Sequence, residues 1–478
     1  MAYNRWAANS IVVASAVCAV NANLNSCPPT VNVIIMEVFW SEMVSLVWGL
    51  PLVIALGGAG LYFTLISRLA PLRHFAHAFA VLSGRFDRAD ASGEISHFRA
   101  LSAALSGTIG MGNIAGVAIA IAVGGSGAVF WMWVAGAFGM ATKFFTCTLS
   151  CLYRKPDAEG VMQGGPMYFI EVGLGPRFKP LAWMFAGCGM IGCLGVFQSN
   201  QVANLLHSQY ALPKAATGVV AALIVGTVVL GGIQRVGRVA GVIVPGMCLI
   251  YVAGGLVVVA DHWAQVPDTL LAIVLGAFNP EAGFGGAIGL TFKEVLVTGV
   301  KRAVFSNEAG VGTEAMVHGA ARTDEPVREG LVAMLGPFFD THIVCTVTAL
   351  VILLGTTPDP DVAGVINTAR AFEGSMPGLG AELLTAVFVL FAVTTMITYA
   401  YYSVKCARYL IGERWGGRFV YVYLVTLPIF AVLTPRLSVN IIDTVYGLMV
   451  VPTLTATVLL APKVLAASRH YFARHNHG

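Results

Sequence analysis

Ser106-Gly-Thr-Ile-Gly-Met-Gly-Asn-Ile-Ala-Gly116 and Gly283-Phe-Gly-Gly-Ala-Ile-Gly289 share one spacing: glycines at 110, 112 and 116 are echoed at 283, 285 and 289. Each cluster interrupts an otherwise apolar run. Glycine gives the backbone freedom and brings no side chain, so these are places where a helix can unwind and another group can approach the chain closely. A helix that unwinds in hydrocarbon exposes N–H and C=O groups that lipid cannot solvate, and the break is tolerated only where it faces protein or a polar cavity. Half-helix N-termini then offer partial positive charge to a carboxylate, and freed carbonyls can ligate a cation. Two plainer readings compete with a binding site. The chain has 54 glycines, so the repeat can be chance, and Gly112-x-x-x-Gly116 is also a helix-packing pattern. A nucleotide loop is excluded: G-x-G-x-x-G needs its third glycine one place earlier, and neither cluster follows a soluble strand.

Those runs sit in a chain made for a bilayer. Of 478 residues 57% are hydrophobic and 11% charged, with mean hydropathy +0.78, against about 25% charge in a soluble domain. Apolar windows fall near 44–67, 101–123, 127–152, 181–205, 215–232, 238–260, 268–303 (long and interrupted), 330–355, 380–402, 418–434 and 440–464. That is eleven predicted transmembrane helices, each near the ~20 residues a crossing needs. Recurrence of such runs excludes a soluble enzyme on one anchor, a disordered or fibrous chain, and an outer-membrane barrel, whose strands alternate in segments of about ten. A net charge of +4, scattered between spans, excludes a nucleic-acid surface.

Lysine and arginine placement orients the chain, since short cytoplasmic loops carry the positive charge. With the start outside, the stretches 68–100, 153–180, 233–238, 291–330, 403–418 and 463–478 are cytoplasmic and hold 23 of the 28 basic residues. Arg5, Lys214, Arg370 and Arg436 fall outside, and Lys143 alone lies within a span. The expectation is a multi-pass protein of a bacterial-type inner membrane with a cytoplasmic C-terminus. Residues 1–43 form an N-terminal segment with open readings: disordered, interfacial, or an extension upstream of a start at Met36. The domains that follow are an extra helix at 44–67, five spans in 101–264, five more in 268–464, and a tail at 465–478. Two halves with an odd number of crossings lie upside down relative to one another, the inverted-repeat plan of many secondary transporters.

Polar side chains inside a span are costly enough to be presumed functional. Asn113 stands beside the first break and Asn279 and Glu281 beside the second; Lys143, Gln198 with Ser199 and Asn200, Asp340, Thr394 and Thr395 complete the set. Asn113 and Gln198 suit either a substrate's charged groups or interhelical hydrogen bonding. Lys143 suits pairing with Asp340 or a helix C-terminus. Thr394 and Thr395 offer hydroxyl oxygens to sodium, or bond their own backbone. The nine cysteines show no metal-ligand spacing, and no nucleophile–base signature or H-E-x-x-H occurs, so no enzyme chemistry is expected.

Lys301-Arg-Ala-Val-Phe-Ser-Asn-Glu-Ala-Gly-Val-Gly312, His318-Gly-Ala-Ala-Arg-Thr-Asp-Glu-Pro-Val-Arg-Glu-Gly-Leu331, Phe339-Asp-Thr341 and Cys345-Thr-Val-Thr-Ala349 closely resemble the alanine/glycine:cation symporter family. The likeness extends to Gly110–Ala118, Phe130–Trp133, Gly139–Phe144, Gly164–Tyr168 and Gln198–Asn200. The resemblance implies an all-α membrane protein with a leucine-transporter type 5+5 inverted repeat and one extra N-terminal helix. It implies import of alanine or glycine coupled to sodium by alternating access; the alternatives are a different small substrate or coupling to protons. Sodium is the only ion or cofactor it implies, and no obligate protein partner. The implied substrate site lies between spans 101–123 and 268–303, with help from 181–205 and 380–402: Met111, Gly112, Asn113, Gln198, Phe284, Gly285, Gly286 and Tyr399. The implied cation site uses carbonyls near Gly107 and Gly110 with Thr394 and Thr395.

The chain departs from the family pattern where Met111 stands for a frequent threonine, Thr146 for glutamate and Tyr399 for tryptophan. Met111 removes a hydroxyl from the expected carboxylate end of the pocket. Thr146 deprives Lys143 of a carboxylate three residues on, so its partner is expected elsewhere.

Overall fold

The computed structural model describes residues 29–475 apart from 89, 158–159, 280–290 and 356–363. Among them the only strands are a two-residue hairpin, Lys155–Pro156 against Met162–Gln163; the rest of the regular structure is helical. Six helices are long and apolar enough to cross a membrane, and two bent pairs bring the number to eight. One pair joins α1 (Pro29–Val47) to α2 (Leu50–Ile66) at 46°, and the other joins α3 (His97–Thr108) to the stretch Gly112–Gly124 at 51°.

Further segments follow in order: α4 (Val117–Gly124), α5 (Gly127–Leu152), α6 (Lys179–Gly192), α7 (Val196–Tyr210), α8 (Lys214–Val229), α9 (Gly232–Asp261), α10 (Val266–Phe278), α11 (Phe292–Asn307), α12 (Glu314–His318) and α13 (Pro326–Ala333). After α13 a π-helical stretch, Phe338–Cys345, leads to α14 (Thr346–Gly355); α15 (Gly364–Ser375), α16 (Gly380–Ala431) and α17 (Pro435–His475) complete the chain. The 52 residues of α16 would span about 78 Å if straight, more than twice a hydrocarbon core of about 30 Å. It reverses instead. Gly412 has φ 81° and ψ 165°, a combination essentially reserved for glycine, and Tyr423 Oη donates to the Met396 carbonyl at 2.7 Å across the fold. The single helix is therefore a hairpin of two crossings. With that division, with the shorter α8, and with α11 and α12 taken as one interrupted span, the described residues offer eleven candidate crossing segments, the predicted number.

The predicted window 268–303 holds two described helices, α10 of 13 residues and α11, and residues 280–290 between them lie outside the described residues. α11 runs on through a break into α12, and this segment is counted as the crossing; α10, about 20 Å long, is not. The charge sorting changes with it. Lys301 and Arg302 share a cavity with Arg436, which the sequence puts outside, and Lys293 lies further along the same helix toward that end. These three leave the cytoplasmic set, so twenty of the 28 basic residues remain in it. The predicted break at Gly283–Gly289, with Glu281, lies outside the described residues; Asn279 is the C-cap of α10.

Burial is reversed relative to a soluble domain. Val242, Leu249, Leu223 and Val425 are 65–75% exposed, whereas Asn113, Glu308, Glu314, Glu329 and Asp340 are fully buried. Lipid is as apolar as leucine and leaves large hydrophobic side chains at no cost on the rim; polar groups pack inward, where they find partners.

Candidate functional site

The first break begins where α3 stops at Thr108. Ile109 is extended (φ −75°, ψ 94°), and the chain resumes as a π-helical turn over Gly112–Gly116 before α4. Part of the freed backbone is satisfied locally. Gly110 N–H donates to Asn113 Oδ1 at 2.8 Å, and Asn113 N–H donates to the Gly110 carbonyl at 3.2 Å. The carbonyl of Ser106 accepts from Thr395 Oγ1 on α16 at 2.9 Å. Glycine is required by proximity: a Cβ on Gly110 would lie 2.6 Å from Thr395 Oγ1, and one on Gly112 would lie 2.9 Å from Ser306 Cα.

That second contact brings in a break the sequence reading passed over. α11 ends at Asn307, Glu308 adopts a left-handed conformation (φ 56°), Gly310 and Gly312 have φ 89° and 92°, and α12 starts at Glu314. The interruption falls inside the Ser-Asn-Glu-Ala-Gly motif that carries the family resemblance. Its signal was in the sequence, as two glycines beside stranded Asn307 and Glu308, but the preceding basic residues made it look like a loop. The two breaks are therefore packed against each other at Gly112 and Ser306.

Asp340, in the π-helical stretch, clamps both. Its carboxylate accepts from Asn113 Nδ2 at 2.9 Å on the first break and from Ser306 Oγ at 2.7 Å on the second, with Thr341 Oγ1 at 3.0 Å. A buried carboxylate needs such donors because its desolvation is costly. Glu308 is held similarly, accepting from the hydroxyls of Tyr399, Tyr446 and Thr313. Glu314 accepts from Thr146 Oγ1 at 3.3 Å. Lys143, 1% exposed, makes no ion pair within 4 Å among the described residues, so it acts on Asp340 through space and not by contact. It stands within electrostatic range of Glu308, Glu314 and Asp340, so one cation serves three acids. Thr146 thus replaces a carboxylate with a hydroxyl that reaches a carboxylate on the neighbouring helix.

Of the predicted substrate residues, Met111, Gly112 and Asn113 lie at the first break and are buried. Both ends of the Asn113 side chain are engaged, by Gly110 and Asp340, so it acts as a staple. Gln198 differs. It opens α7 just after a third irregularity at Gly195 (φ 69°), is 5% exposed, and its Oε1 has no hydrogen-bond partner. Its neighbour Phe197 stacks edge-on against Phe305 at 5.3 Å, and Phe305 rests on Gly112. Ser199 and Asn200 instead donate to carbonyls of Leu427 and Leu433 at 2.7 and 2.6 Å and tie helices together. Tyr399 joins Tyr446 on Glu308. Phe284, Gly285 and Gly286 lie outside the described residues.

The predicted cation residues divide. Gly107, Gly110 and Thr395 come together, joined by Thr398, whose hydroxyl bonds that of Ser106. Thr394 turns the other way, bonding carbonyls of its own helix at 2.9 and 3.0 Å and facing Met247 Sδ on α9. Residues three apart share a helix face and adjacent ones do not, which is why Thr398, unnoticed in sequence, stands where Thr394 was expected. Hydroxyl and carbonyl oxygens of this kind are hard ligands suited to alkali and alkaline-earth cations.

Comparison with known proteins gives the same picture. Residues 33–478 match the model of the sodium:alanine symporter family. An uncharacterized transporter of Haemophilus influenzae is 40% identical over 445 residues, 92% of this chain and 97% of its own. The sodium/alanine symporter AgcS of Methanococcus maripaludis is 39% identical over 437 residues, 89% and 95% respectively. Among solved structures, MhsT in complex with L-phenylalanine superposes with a TM-score of 0.58 over 79% of this chain and 93% of its own at 12% identity, a likeness of fold.

Proposed function

The chain belongs to the sodium:alanine symporter family, and from that premise we propose that it imports a small amino acid, alanine or glycine, with sodium by alternating access. The observation that carries the reading is the contact of Gly112 with Ser306, which sets two unwound helix segments face to face beside the unpartnered Gln198 Oε1. Freed N–H groups there suit a carboxylate, and Gln198 Oε1 suits an ammonium. The substrate groups in this reading are Met111, Gly112, Gln198, Phe305 and Tyr399, with Asn113 holding the break in shape. Sodium is assigned to the carbonyls near Ser106, Gly107 and Gly110 with the hydroxyls of Thr395 and Thr398. The two repeats are assigned to 101–264 and 268–464, with the second one's broken helix at 292–318, in an inner membrane with a cytoplasmic C-terminus.

Sodium binding at the base of the first break would stiffen the groups that receive the substrate, a coupling of about 1–3 kcal/mol for typical linked sites. The membrane potential adds about 2.3 kcal/mol per charge per 100 mV. Uptake of labelled alanine and glycine into proteoliposomes tests the proposal. Accumulation is expected under an inward sodium gradient and not under a proton gradient alone; the reverse would replace sodium as the driving ion, and no accumulation of either amino acid would remove the substrate assignment.

A further inference from the structure

Three residues that each carry a buried polar atom without a partner line one cavity away from the breaks. Arg302 Nη1, Asn440 Nδ2 and Asp443 Oδ1 form no hydrogen bond, their residues are 4%, 9% and 1% exposed, and all three line a cavity of about 510 Å³ between α1, α4, α7, α11 and α17. The cavity lies toward the turn preceding Pro435, the end that charge sorting assigns to the outside. Phe197 lines its inner wall, and beyond Phe197 come Phe305 and Gly112. The cavity thus stands immediately outside the candidate site, with one aromatic pair between them.

The other Asp443 oxygens are already committed. Asp443 Oδ2 accepts from Lys301 Nζ at 2.6 Å and from Arg302 Nη2, and the Asp443 carbonyl accepts from Trp48 Nε1 at 2.7 Å. Lys301 also lies over the Trp48 ring and Arg302 over that of Phe305, at 6.0 and 5.2 Å. The ion pair is anchored on each side and yet leaves two donors and one acceptor unmet. Leaving a buried donor or acceptor unpaired is costly, so the arrangement is complementary to a solute. A halide would answer the donors and leave Asp443 Oδ1 unmet; an alkali ion would answer the acceptor and leave both donors. A carboxylate with an ammonium on the adjacent carbon answers all three.

We propose that this cavity is a second, outer binding site for an α-amino acid, its carboxylate on Arg302 Nη1 and Asn440 Nδ2 and its ammonium on Asp443 Oδ1. The inference rests on the reading of the chain as an amino-acid carrier, and the two fail differently. Equilibrium dialysis of the full chain in lipid nanodiscs with sodium, against a panel of labelled neutral α-amino acids that includes alanine and glycine, counts bound equivalents. Two per chain are expected. Asn440→Leu is expected to bind one, and so is the nearly isosteric Asn440→Asp, whose carboxylate occupies the Arg302 donor; the second variant decides the matter if the first folds poorly. At a ligand concentration a few times the inner dissociation constant, Gln198→Ala, its inner affinity lowered about tenfold, is expected to retain chiefly the outer equivalent. One equivalent in the unmodified chain, kept in both Asn440 variants and lost in Gln198→Ala, would overturn the outer site and leave the carrier reading standing. No amino acid bound at all would remove both.

Discussion

Asn113 and Gln198 look alike in sequence, as single amides stranded in apolar spans, and the structure separates them. Asn113 is bonded at both ends, to Gly110 N–H and to Asp340; Gln198 keeps a bare buried oxygen. Their substitutions therefore have opposite signatures. Asn113→Ala strips one donor from Asp340 and one acceptor from the first break, and it is expected to lower stability by about 1–3 kcal/mol, visible as a drop in the thermal midpoint of purified protein. Gln198→Ala removes a group with nothing bonded to its oxygen. It is expected to leave that midpoint nearly unchanged and to raise the half-saturation concentration for uptake about tenfold, equivalent to ~1.4 kcal/mol. Equal loss of stability in both variants would place Gln198 among the staples, with Asn200.

The broken elements work because two backbones meet without side chains between them. A Cβ at Gly112 would lie 2.9 Å from Ser306 Cα, whereas one at Gly116, a turn further on, would lie 3.8 Å from Phe305 Cδ1, an ordinary van der Waals contact. Gly112→Ala is expected to push the breaks apart at an overpacking cost of about 1–3 kcal/mol and to abolish uptake. Gly116→Ala should preserve both folding and transport. Measuring uptake per folded molecule for the pair separates breaks that must touch from glycines that merely ease helix packing, since the packing reading predicts similar losses at the two positions. Sequence made the first break legible and passed over the one at Glu308–Gly312 that faces it. A glycine cluster is visible wherever it occurs, but which clusters face each other depends on how the other segments stack.

Across the whole molecule, Glu329 on α13 holds three elements together at the end opposite the outer cavity. One carboxylate oxygen bonds His97 Nδ1 on α3 and the other bonds His318 Nδ1 on α12, all three residues being 0–1% exposed. The two broken helices are thereby tied at their far ends as well as at their centres. Removing one member of a buried charged set costs about 3–5 kcal/mol because it strands the others. Glu329→Leu is expected to lower the denaturation midpoint sharply. A variant that unfolds at the unmodified chain's midpoint would show that the ends of α3, α12 and α13 are held by apolar packing alone.

Composition and the period of the hydrophobic runs were enough to place this chain in lipid, to give the count of candidate crossings, and to locate the interruption of its first core helix at Gly110–Gly112, because solvation of apolar runs and backbone freedom at glycine are local properties. Motif residues were enough to point to the family. Pairings between distant groups were not accessible that way: Asp340 with Asn113 and Ser306, Glu308 with Tyr399 and Tyr446, Thr398 rather than Thr394 beside Ser106, and the break at Glu308 packed against the first one. Each depends on helix rotation and on reversals such as the one at Gly412, and these are decided when inward-facing polar groups find partners that lipid cannot supply.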